Sequence, residues 1–155
     1  PYFMKKKADG ILPITDERMT RFNITLQQGV DFVLQCLDRM WGGELFVPKI
    51  PSYKILDIAE AVAPECKREI IGIRPGEKLH EEMITESDSI NTIEFKDYYV
   101  IIPSIRLWNK TEFVNESNGE IGIPCKDGFS YNSGTNKHFL TVEELKKLIA
   151  ENISI

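Results

Sequence analysis

Proline closes three of the apolar runs in this 155-residue chain, which keeps those elements short. Pro48 ends Leu45-Phe46-Val47, Pro103 ends the run from Tyr98 to Ile102, and Pro64 stops a helical pattern. Pro75-Gly76 forces a turn directly after Glu69-Ile70-Ile71-Gly72-Ile73. Proline has no N–H for a ladder or helix interior, and glycine enters turns that other residues resist. Between these stops, helical and extended patterns alternate. Residues 1–9 read as the end of a helix closed by Gly10, and Ile11 to Ile14 as a short extended run before a polar loop at 16–20. From Thr25, the residues Leu26, Val30, Val33, Leu34 and Leu37 recur at helical spacing, and Trp41-Gly42-Gly43 ends the pattern. Ile55 to Ala63 forms a second amphipathic helix, and Lys78 to Met83 is expected to form a short one. Thr141-Val142-Glu143-Glu144 is a capping box that opens a last helix through Leu145, Leu148 and Ile149.

The expected class is therefore α/β (α+β), with short strands and helices in one structural unit. Residues 1–103 are expected to form a lobe. Residues 104–155 are expected to form an arm and a terminal helix that packs back on it. The stretch 104–138 is rich in Asn, Ser, Gly and Lys with weak periodicity, as in a functional loop or an arm reaching over a neighbour. No G-x-G-x-x-G occurs, so the chain cannot build a complete dinucleotide-binding fold by itself. A chain beginning with Pro1 is expected to be cut from something longer or processed.

Charge and cysteine usage exclude several classes. The net charge is −5 and the basic residues are scattered, whereas a nucleic-acid binder carries a broad basic face. No apolar run approaches the roughly 18 residues of a membrane span, and a cytoplasmic setting without membrane contact is expected. Cys36, Cys66 and Cys125 form no C-x-x-C pair, which argues against a disulfide framework and a zinc site.

An anionic ligand would then need a few placed arginines. Arg21 stands at the exit of the polar loop in Met19-Thr20-Arg21-Phe22. Arg74 stands at the carboxyl end of a strand pattern, where α/β proteins commonly bind ligands. A guanidinium presents a planar fork of donors to phosphate oxygens, and each charge-assisted contact contributes about 1.5–3 kcal/mol. From spacing alone the alternative stays open that both are surface arginines in ion pairs with Asp16 or Glu77. His80 and His138 lack metal spacing, and His80 reads as a packing or capping residue. Phe95, Tyr98 and Tyr99 read as core or interface.

Three runs carry a resemblance: residues 12–22 (Leu12 to Phe22), 43–52 (Gly43 to Ser52) and 71–83 (Ile71 to Met83). Together, in this order, they resemble the inverting UDP-N-acetylglucosamine 4,6-dehydratases. These belong to the polysaccharide-biosynthesis branch of the extended short-chain dehydrogenase/reductases and act in pseudaminic acid synthesis. The similarity continues through Tyr98 to Pro103 and Phe129 to Leu140. It implies that the chain is the C-terminal, substrate-binding portion of such an enzyme, inactive alone, with the redox half supplied by an N-terminal Rossmann lobe that holds NADP. No catalytic, cofactor or metal residue is expected here. The UDP-sugar is expected to meet Arg21 and Arg74 at its phosphates, Glu77 at a ribose hydroxyl, and the main chain at Ile11 at its uracil edge. The tail loop of Tyr131, Asn136 and Lys137 is implied to return to the substrate. The family pattern has an aromatic where this chain has Asn23, which alters packing beside Arg21. A homo-oligomer is implied, and an assembly role, a sibling epimerase and a retaining dehydratase remain alternatives.

Overall fold

The computed structural model describes residues 2–105, 108–116 and 119–153. The chain groups into two compact units. The first takes Pro1–Asn23, Pro51–Glu81 and Ser133–Ile155, and the second takes Ile24–Ile50 and Glu82–Asn132.

In the first unit, α1 (Tyr2–Lys6) continues as a 3-10 turn to Asp9 and stops at Gly10. Gly10 adopts φ +70 and returns its N–H to the Lys7 carbonyl, the left-handed cap that favours glycine. β1 (Ile11–Ile14) then pairs in parallel with β5 (Lys67–Ile70), placing Ile11 opposite Lys67. Leu12 and Ile14, on one face of β1, are fully buried against Ala59 of α3 (Ile55–Val62) and Ala63 just past its end, with Cys66 and Phe3 joining the cluster. α5 (Val142–Asn152) packs on α3 and buries Leu145. Its start is the expected capping box: the Thr141 hydroxyl accepts from Glu144 N–H, and the Glu144 carboxylate accepts from Thr141 N–H. β2 (Thr20–Phe22) pairs antiparallel with β4 (Ser52–Lys54), setting Arg21 opposite Tyr53.

The second unit centres on a four-stranded antiparallel sheet. It is built from β3 (Leu45–Pro48), β8 (Tyr98–Ile101), β7 (Thr92–Glu94) and β9 (Ile123–Pro124), in that order. A separate pair joins β6 (Glu82–Ile84) to β10 (Tyr131–Asn132). Ile93, Phe95, Tyr98, Val100, Ile102 and Phe113 form the core. Phe95 stacks on Tyr98 with centroids 4.9 Å apart, and Phe113, on α4 (Lys110–Glu116), stacks on Trp108 at 4.6 Å. The Trp108 indole N–H donates to the Gly42 carbonyl. The Asn-rich stretch expected to be irregular thus supplies a fully buried core residue.

α2 (Leu26–Arg39) opens on a capping box between Thr25 and Gln28. Phe32 packs against the aromatic core and Arg39 lies over the Tyr98 ring at 5.0 Å. The periodic residues that mark the helix in the sequence lie on another face. Leu26 is 87% exposed, and Val30, Val33, Leu34 and Leu37 are also exposed. The helix therefore carries two adjacent apolar faces, and this unit covers one.

One expected helix is absent. Leu79 and His80 form a bend, and the chain extends into β6 from Glu82. The backbone groups a helix would use are taken up elsewhere: the Leu79 carbonyl accepts from Thr20 N–H, and the Glu81 carbonyl accepts from Ser133 N–H. Contacts from distant segments override local helical preference here.

Candidate anion-binding site in the first unit

The Arg74-Pro75-Gly76-Glu77 segment builds its own turn. Glu77 N–H donates to the Arg74 carbonyl at 3.1 Å, and Gly76 takes φ +87 at the third position, which such a turn requires of glycine. The Glu77 carboxylate accepts from Arg74 N–H at 3.0 Å and stands 3.9 Å from the guanidinium Nε. Arg74 itself is 63% exposed, so this pairing leaves most of its fork in solvent. The expected alternative of an Arg74–Glu77 ion pair is present, as a long and weak contact.

Arg21 is held differently. Its Nη1 donates to the Thr20 carbonyl at 2.6 Å and to the Leu79 carbonyl at 3.2 Å. Nε lies 3.8 Å from the Glu81 carboxylate, whose other oxygen accepts from Phe22 N–H at 2.8 Å. Among the described residues, Nη2 meets only the Met19 sulfur, at 3.5 Å, a weak acceptor. Two carbonyls thus fix the group, and one terminal nitrogen keeps donor capacity. Asp16 is not its partner: Arg18 binds Asp16 through side chain and backbone, and those hydrogen bonds pull the carboxyl down to about 2. Tyr53, opposite Arg21, has its hydroxyl pKa raised by burial and by Glu81, with Arg21 acting against them. Only the chain from 74 to 79, no more than about 18 Å when extended, separates Arg74 from the carbonyl that holds Arg21.

A buried polar cluster adjoins this arginine. The Thr20 hydroxyl lies 2.8 Å from His80 Nδ1 and 2.7 Å from the Ser133 hydroxyl. Ser133 Oγ accepts from Glu81 N–H at 2.9 Å and lies 3.2 Å from the Thr20 carbonyl, the same oxygen that accepts from Arg21. Thr20 and Ser133 are buried. The next residue, Gly134, has no room for a side chain, because a Cβ there would sit 2.6 Å from His80 Nδ1. Sequence reasoning singled out neither Thr20 nor Ser133. Separations of 60 and 113 residues leave no local signal.

The other expected positions are dispersed. Ile11 is exposed at the start of β1. In the tail, the Asn136 amide donates to the buried Ser52 hydroxyl at 2.9 Å, and Lys137 is exposed. Tyr131 belongs to the second unit and is buried. Its hydroxyl donates to the Ile50 carbonyl and accepts from Ile50 N–H, both at 2.9 Å. Asn23 gives its N–H to the Pro51 carbonyl. Among the described residues no His, Cys, Asp and Glu cluster could hold a metal ion, and no helix is long and apolar enough to cross a membrane.

Mixed helices and short strands of this kind define an α/β fold that is also seen in an X-ray structure of Pen from Bacillus thuringiensis. The two superimpose with a TM-score of 0.76 at 27% identity, covering 97% of this chain and 44% of that one. Residues 1–103 match the polysaccharide biosynthesis protein family, and the chain belongs to that family. It is 52% identical over 152 residues to a UDP-N-acetylglucosamine 4,6-dehydratase (inverting) of Campylobacter jejuni, covering 96% of this chain and 46% of the relative. It is also 31% identical over 154 residues to a UDP-glucose 4-epimerase of Rickettsia conorii, covering 96% of this chain and 44% of that enzyme. The chain thus spans about half the length of the curated relatives it matches.

Proposed function

We propose that this chain is the UDP-sugar-binding portion of an inverting UDP-N-acetylglucosamine 4,6-dehydratase. Such a lyase makes a 4-keto-6-deoxy sugar nucleotide for surface glycans of the pseudaminic acid type. The observation that carries the reading is the state of Arg21: two carbonyls orient its guanidinium while, among the described residues, Nη2 meets only a thioether. A guanidinium held in this way is preorganised for an oxyanion and gives up little side-chain freedom on binding. In this reading Arg21 and Arg74 take the diphosphate, Glu77 a ribose hydroxyl, and Ile11 the base edge. Tyr131, Asn136 and Lys137 belong to the returning tail. Glu77 would have to loosen its hold on Arg74 to serve the ribose.

The described residues do not fit a dinucleotide. Their one parallel strand pair, β1 with β5, is not followed by a glycine-rich turn into a helix. An NADP-like group supplies hydride chemistry in such a reaction, and in this reading a separate Rossmann lobe carries it. The 155 residues alone then bind without turnover, in a cytoplasmic and oligomeric enzyme. Similarity to UDP-glucose 4-epimerases favours a second reading, a fragment of a sibling epimerase. The common chemistry of both is recognition of a UDP-sugar.

Calorimetric titration of the chain with UDP, uridine and inorganic phosphate tests the reading. UDP is expected to bind more tightly than uridine, and more weakly as salt rises. Arg21→Ala is expected to weaken UDP by roughly 1.5–3 kcal/mol, the scale of a charge-assisted contact, and Arg74→Ala by less. Equal binding of UDP and uridine would remove the phosphate role from both arginines. Production of a 4-keto sugar by the isolated chain would contradict the division of labour. With the enzyme's other half present, the C5 configuration of a 4-keto product separates inverting from retaining dehydration, and a product altered only at C4 would favour the epimerase reading.

A further inference from the structure

The cluster around Thr20 permits one complete assignment of protons. Four short contacts require hydrogens: Glu81 N to Ser133 Oγ, Ser133 Oγ to the Thr20 carbonyl, Thr20 Oγ1 with Ser133 Oγ, and Thr20 Oγ1 with His80 Nδ1. Each hydroxyl has one proton to give. If Ser133 donates to the Thr20 carbonyl, Thr20 must donate to Ser133, and His80 must donate from Nδ1 to Thr20. All four contacts then hold a hydrogen. In the reverse order Thr20 donates into Nδ1 and Ser133 donates into the Thr20 hydroxyl. That leaves Ser133 Oγ and the Thr20 carbonyl as two facing acceptors with no proton between them. The Thr20 carbonyl would keep Arg21 Nη1 and Ser133 Oγ would keep Glu81 N–H, so the reverse order forfeits one of the four hydrogen bonds, and the first order is preferred because it fills all four.

We propose that His80 is a positioning residue that latches the tail segment 133–137 onto the Arg21 strand, acting as a donor from Nδ1. The latch rests on the reading of this unit as a UDP-sugar site and adds to it the means by which the tail is held. The geometry runs through one oxygen: the Thr20 carbonyl accepts from both Arg21 Nη1 and Ser133 Oγ, so the tail and the phosphate-seeking guanidinium share an anchor. Gly134 lets the imidazole lie flush on the tail backbone, and any larger residue there meets the ring. Two residues further on, Asn136 ties to Ser52, leaving Lys137 exposed on a segment fixed at both sides. The neutral ring is thereby held with its proton on Nδ1, whereas a free histidine side chain in water prefers Nε2. A protonated ring would keep the same Nδ1 donor.

The tautomer and the latch can be tested on the 155-residue chain. Long-range nitrogen–proton correlation spectra are expected to show a proton on His80 Nδ1. A proton on Nε2 alone would overturn the assignment. His80→Asn keeps a donor near the Nδ1 position, and is expected to keep slow amide exchange at 133 and 134 and UDP affinity within about twofold of the parent. His80→Gln and His80→Phe lose that donor. Each is expected to speed exchange at these amides at least tenfold and to weaken UDP several-fold. Thr20→Val, which removes only the hydroxyl, is expected to reproduce the loss should the ring variants fold poorly. Unchanged exchange in the Gln, Phe and Val variants, or an Asn variant as impaired as Phe, would sink the proposal. If the parent chain binds no UDP, the functional reading fails, while the exchange and tautomer measurements still decide the latch.

Discussion

The two units weight burial differently, although the second also buries the hydroxyls of Ser89 and Thr92. The second is held by aromatic rings: Phe95, Tyr98, Trp108 and Phe113 stack or meet edge to face, and Phe113 and Tyr98 are almost wholly buried. The first has a modest aliphatic cluster, and it buries hydroxyls at Thr20, Ser52 and Ser133 that bond to residues from 60 to 113 positions away. Aromatic burial tolerates some rearrangement. A hydroxyl network does not, because every buried donor and acceptor must keep its partner.

Substitutions can break or sharpen this contrast. The largest effect is expected from Phe113→Ala, which opens a cavity in the aromatic core and destabilises the protein by about 3–5 kcal/mol in denaturant unfolding. Loss below 1 kcal/mol would mean that the stack is not the main support of its unit. Ser133→Ala should cost about 1–3 kcal/mol, because Glu81 N–H and the Thr20 hydroxyl lose their partner together. Unlike Phe113→Ala, it should also speed hydrogen exchange at the tail. Thr141→Ala removes the cap of α5 and should cost about 1 kcal/mol by thermal unfolding.

The smallest effect concerns Cys125 in the second unit. Burial raises its thiol to about 11, with Glu94 adding to the shift and Lys49 opposing it. A group whose folded value lies above its unfolded value stabilises most below the unfolded value and loses that contribution as pH rises through the folded one. Alkylation of Cys125 by iodoacetamide should therefore stay slow at pH 8 and accelerate only toward pH 11, where this increment of stability also disappears. Rapid labelling at pH 8 would show that the thiol is not shielded.

What the sequence made legible was local chemistry. The Thr141 capping box, the Gly10 stop and the Pro75-Gly76 turn all form as their residue types require. The α2 periodicity identified a helix but not which face its own unit covers, because Phe32 and Leu34 are equally apolar on paper. The stretch 78–83 looked helical, and its backbone is claimed instead by Thr20 and Ser133. Phe113 was hidden among polar neighbours. His80 was legible as a packing or capping residue, and packing on Gly134 is part of what it does. Its partners could not be read, since nothing local links Thr20, His80 and Ser133.

The interleaving of the two units bears on the order in which the chain can mature during synthesis. All of the second unit lies between residues 24 and 132, so its sheet can close before the last residues have been made. The first unit begins at residue 1 yet needs Ser133 and α5. Its early segments must wait, partly unsatisfied, for the final stretch to emerge. A nascent chain whose residue 132 has just cleared the ribosome would accordingly present a closed aromatic sheet while the arginine-bearing unit is still open to proteases.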